Sequence, residues 1–119
     1  MKKIALSILV IFFIALQVDA QIGKLSTTNR RAIELYQKAT ESYEKYDNES
    51  AIKYLEQSVE KDSKFIEAYL MLSQIYQEMR LIDKAIDAAN KAIALNPDFF
   101  PNIYFNLGNL FLYKGEYQQ

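Results

Sequence analysis

Apolar residues recur at helical spacing along the chain, at Ile33, Leu35, Tyr36, Ala39 and Tyr43, and again at Ala51, Ile52, Leu55 and Val59. Each set makes one apolar stripe of an amphipathic helix. The pattern then repeats at a fixed distance: Ala51-Ile52 returns as Ala85-Ile86, Ser58 as Ala92, Ser63 as Pro97, and the upstream Leu35 and Ala39 as Tyr69 and Ser73, each 34 positions on. A further copy displaced by 35 maps Tyr69, Leu72, Ser73 and Tyr76 onto Tyr104, Leu107, Gly108 and Phe111. The extra residue falls in the turn at 97–101. A period of this length marks a repeat architecture of paired helices, and it predicts an all-α chain.

Turn and cap chemistry sets the expected boundaries. Asn29 precedes the first helix, Asp47 the second, and Asp83 lies near the start of the fourth. Asn96-Pro97 ends the fourth helix, because the residue before a proline avoids the helical region. Pro101 suits the first turn of a fifth helix, and Gly115 suits its C-terminal stop.

The N-terminus has a different pattern. Lys2 and Lys3 precede an apolar run at 4–16 broken only by Ser7, and Val18 and Ala20 place small residues at the two cleavage-site positions. This reads as an export signal at residues 1–20, cut after Ala20. A helix over that run spans roughly 20 Å, short of the roughly 30 Å hydrocarbon core, which argues against a lasting membrane anchor. Residues 21–29 (QIGKLSTTN) carry no apolar period and are expected to form a flexible lead-in.

Composition narrows the chemistry. The chain has no Cys and no His, which removes disulfides, lipid attachment through an N-terminal Cys, thiolate metal sites and the commonest general base. No enzyme activity, cofactor, metal or small-molecule substrate is expected. The 14 Lys and Arg nearly balance 15 Asp and Glu, a surface unsuited to nucleic acid. Glu41, Glu44 and Glu49 with Lys45 and Lys53 read as a solvated helical face, as do Asp83, Asp87 and Asn90.

The residues Tyr69-Leu70-Met71-Leu72-Ser73-Gln74-Ile75-Tyr76, Ala85, Ala89, Ala92 and Pro97, and again Tyr104-Phe105-Asn106-Leu107-Gly108 through Tyr117, resemble the tetratricopeptide repeat (TPR) family. The resemblance implies helix-turn-helix repeats at about 32–65 and 66–99 with a partial third at 101–119, together forming a TPR domain over 30–119 and a short right-handed α-solenoid behind the signal peptide. Ala39, Ser73 and Gly108 would take the small position of each first helix, and Ala51 and Ala85 the crossing point of each second helix. Ser63 departs from the family's usual Pro, Tyr46 and Arg80 from its Gly, and Ala89 from a large residue.

The family's concave groove, carried onto this sequence, falls at Tyr36, Gln37, Thr40, Glu67, Met71, Gln74, Gln77, Asn102, Asn106 and Asn109, with Tyr43, Glu44, Leu70, Glu78 and Phe105 on the same face. Tyr43, Leu70 and Phe105 are expected to pack between helices. With no Lys or Arg in the set, the groove suits a neutral or mildly basic protein segment. The third copy stops before its second helix. The chain is therefore expected to be the N-terminal part of a longer protein, with a self-associating structural protein that dimerises through the incomplete third repeat as the alternative. Taken together, the pattern resembles the N-terminus of Bacteroidetes-type envelope proteins in which TPRs precede a β-propeller and an OmpA-like domain, some serving type IX secretion or gliding. That implies an exported, periplasmic scaffold at the outer membrane.

Overall fold

A computed structural model describes residues 25–117, with helix α1 at Arg30–Glu44, α2 at Asn48–Lys61, α3 at Ile66–Glu78, α4 at Ile82–Leu95 and α5 at Asn102–Tyr117. The described residues contain no strand. The signal expected at 1–20 lies outside them. Helix α1 pairs with α2 and α3 with α4, while α2–α3 and α4–α5 contacts stack the units in chain order. Two helix-turn-helix repeats and one further helix thus form a short α-solenoid.

Small residues sit where the paired helices meet. Ala39, Ala51 and Ala85 are completely buried. The Ser73 hydroxyl donates to the Ala85 carbonyl at 2.8 Å, and that of the buried Ser58 donates to the Ala32 carbonyl at 2.7 Å. Both hydroxyls are satisfied while the helix backbones stay close. A Cβ on Gly108 would meet nothing within 4 Å.

Most of the expected boundaries are found. The Asn29 side chain accepts from Ala32 N–H, and that of Asp47 from Ser50 N–H. Three details differ. Asp83 caps no helix: it lies one residue inside α4, where its charge suits the N-terminal dipole. Pro101 stands just before α5. Gly115 does not stop α5, which runs through to Tyr117 with no glycine among the described residues at positive φ. Tyr46 and Arg80, where the family often has Gly, both take φ 62°, the left-handed turn that ends α1 and α3.

The lead-in is tied down over residues 25–29. Leu25 packs on the core, and Thr27 is buried with its hydroxyl on the Asp62 carboxylate. That bond and Lys64 N–H hold the Asp62 carboxyl below the usual carboxylate range. The Asn29 amide donates to the Lys61 carbonyl at 3.2 Å. Ser26 docks on α3: Ile66 N–H donates to its Oγ at 2.9 Å, and its own N–H and hydroxyl donate to the Glu67 carboxylate. Because α3 has no side-chain cap of its own at Phe65, Ser26 completes a capping box from a distant stretch of chain.

Candidate functional site

The helices α1, α3 and α5 share one face of the solenoid, and α3 lies between the other two. Tyr36 stacks tilted on Phe65 at 5.0 Å, and the Tyr43 hydroxyl donates to Glu78 at 2.7 Å. The first contact joins the N-terminal halves of α1 and α3 and the second their C-terminal ends, so the two helices run parallel. Between them and the start of α5 opens a groove of about 600 Å³.

Tyr36, Thr40, Tyr43 and Glu44 line it from α1; Glu67, Leu70, Met71, Ser73, Gln74 and Gln77 from α3; Phe100, Ile103 and Asn106 from the α5 side, with Ala89 at the floor. Of the expected groove residues, Tyr36, Thr40, Glu67, Met71, Gln74, Gln77 and Asn106 are brought together. Gln37, Asn102 and Asn109 are not. Gln37 and Asn102 are exposed away from it, and Asn109 lines a separate cavity of about 200 Å³ with Gln77, Arg80, Ile82, Leu110 and Tyr113. The cause is positional: α1 and α5 turn only their α3-facing stripes into a groove centred on α3.

Ala89, Phe100 and Ile103 were not legible as groove residues. Ala89 did carry a signal, as a small residue where the family has a large one, and its buried methyl leaves the floor open. Tyr43 and Leu70, expected to pack between helices, pack against the core clusters and also line the groove. Phe105 does neither, and 71% of it is exposed.

Polar groups on the groove wall are organised. Gln74 Nε2 donates to the Tyr43 hydroxyl at 3.0 Å and to Glu78 at 3.3 Å, which ties α1 to α3. That tyrosine's phenol is raised chiefly by its bond to Glu78. Burial, with the nearby Glu67 charge, raises Tyr36. Both phenols therefore stay neutral and keep a hydrogen to donate. Among the described residues no group of three or more Asp or Glu is placed to hold a metal, and no helix is long and apolar enough to cross a membrane.

The small crossing residues Ala51 and Ala85 and the left-handed turns at Tyr46 and Arg80 recur from one helix pair to the next, 34 positions apart. Residues 66–99 match the tetratricopeptide repeat. Two crystal structures of MamA superpose on the chain with a TM-score of 0.69 at 26% identity, one over 73% of this chain and 50% of its own, the other over 74% and 48%. The chain thus spans about half the length of these structures. Comparison with curated proteins gives no match. The TPR match over residues 66–99 and the MamA-like fold support a protein–protein interaction scaffold.

Proposed function

We propose that the α1–α3–α5 groove binds a segment of a partner protein, and that the protein does so as an exported scaffold of the bacterial envelope. One observation carries the groove reading: an open cleft that combines apolar floor (Leu70, Met71, Ile103) with a polar wall (Thr40, Gln74, Gln77, Asn106). Such a surface can bury partner side chains and pair with their backbone. Peptides selected on the purified protein should lose affinity when Gln74 and Asn106 are both changed to Ala. The melting midpoint should fall by only a few degrees, since both are exposed and the bonds that Gln74 makes to Tyr43 and Glu78 lie at the surface. Selected peptides that bind this variant as tightly contradict the groove.

The envelope placement rests on the charged, apolar and small-residue pattern of residues 1–20 and on the resemblance to OmpA-family envelope proteins of the secretion-associated type. Intact mass of the protein from a fractionated host should show a periplasmic species starting at Gln21; a cytoplasmic species retaining Met1 or Lys2 counts against export. A second reading, self-association, is favoured by the outer face of α5, where Phe105, Phe111 and Leu112 are 71%, 53% and 69% exposed.

A further inference from the structure

The groove carries charge of one sign only, and at two separated places. Among the described residues, Glu67 and Glu44 are its sole charged lining residues. Glu67 sits in the first turn of α3, while Glu44 closes α1 at the other end, level with Glu78 by the 34-residue period and the Tyr43–Glu78 bond. From Glu67 to the level of Glu78 is eleven residues of helix, about 16 Å along the axis. Between them lie the apolar side chains of Leu70 and Met71, flanked by Phe100 and Ile103.

Glu67 is also held in place. Ser26 N–H donates to its Oε1 at 2.9 Å and the Ser26 hydroxyl to its Oε2, while Ser26 Oγ accepts from Ile66 N–H. Two bonds leave lone pairs free on both carboxylate oxygens. Among the described residues no Lys or Arg lines the groove beside either glutamate. A fixed carboxylate with spare acceptor capacity is a pre-organised seat for a cationic side chain.

We propose that the groove recognises an extended protein segment with an apolar centre and a Lys or Arg toward each end, one cation meeting Glu67 and the other Glu44. Ser26 is a positioning residue for the Glu67 contact. The proposal rests on the groove reading above and adds the partner's chemistry to it. At about 3.3 Å per residue an extended segment covers the 16 Å with about five residues between the cations.

The test uses three synthetic peptides with the same Leu- and Ala-rich centre and Lys, Gln or Glu at both ends, titrated against residues 21–119 at low and high salt. The Lys peptide should bind best, the Gln peptide about ten- to twentyfold more weakly and the Glu peptide least, with the Lys advantage shrinking in high salt. Changing one end from Lys to Gln should cost about three- to fivefold on the wild-type protein and nothing on the matching Glu67→Gln or Glu44→Gln variant. Ser26→Ala should narrow the Lys-over-Gln preference at the Glu67 end alone, and Ser26→Thr should restore it. Equal affinity for the Lys and Gln peptides overturns the charge proposal and leaves the groove standing. Failure of all three peptides to bind the wild-type protein overturns the proposal and the groove reading together. The peptide series needs no protein variant, so a misfolded mutant cannot mask either result.

Discussion

Replacing Phe65 with Ala is expected to cost about 3–5 kcal/mol, the range for emptying a buried aromatic site. Phe65 is completely buried at the turn between α2 and α3, its ring 5.0 Å from that of Tyr36, in the same cluster as Ala32, Ala39, Ala68 and Leu72. It touches the junction of both repeats, and the strap at 25–29 docks beside it. A domain of this size has a total stability of about 5–15 kcal/mol, so the melting midpoint should fall by roughly 12 °C or more. Phe65→Leu should recover most of the loss by filling much of the space. A midpoint within a few degrees of wild type for Phe65→Ala would contradict the packing described.

The second large effect is expected to be local. Leu110 is 1% exposed and Ile103 5%, and these two side chains anchor α5 to the rest. In the chain-order stacking α5 packs chiefly on α4, with Ile103 also clustered with Ile66 of α3. Its Lys114–Asp83 ion pair at 2.7 Å is solvent-exposed, and such pairs contribute at most about 1 kcal/mol. Leu110→Ala should therefore cost about 2–5 kcal/mol, charged almost wholly to the docking of α5. In a repeat array each unit senses mainly its neighbours, so hydrogen exchange should show the amides of α5 losing protection while those of α1 and α2 keep theirs. Equal loss of protection in α1 and α5 would show instead that the chain unfolds as one unit.

Much of this architecture was written in spacing. The 34-residue period paired Ala39 with Ser73 and Ala51 with Ala85, and the TPR resemblance assigned them to helix crossings, where only small residues allow close approach. Caps such as Asn29 and Asp47 act on residues three positions away. Local rules reach that far. The strap was not legible, since the partners of Ser26 and Thr27 lie at Glu67 and Asp62, 41 and 35 positions on, and nothing in a run of polar residues announces a cap made in trans. Gly115 misled for a related reason: an exposed helical glycine with open space around it resembles a stop in sequence.

The groove was partly legible in the same way. Residues one period apart occupy equivalent helix positions, yet Met71 lines the cleft and Gln37, 34 positions earlier, does not. Periodicity treats all repeats alike, whereas α3 has a neighbour on each side and α1 and α5 turn only one side toward it. Phe100 and Ile103 entered because the longer turn at 97–101 brings the start of α5 against the open floor left by Ala89.

The groove as the interaction surface is the central claim, and a backbone resonance map of residues 21–119, titrated with the Lys-ended peptide, tests it most directly. Shifts concentrated at Tyr36, Thr40, Met71, Gln74, Ile103 and Asn106 are the predicted result. Shifts confined to the outer face of α5, at Phe105, Phe111 and Leu112, or growing with protein concentration in the absence of peptide, would contradict it.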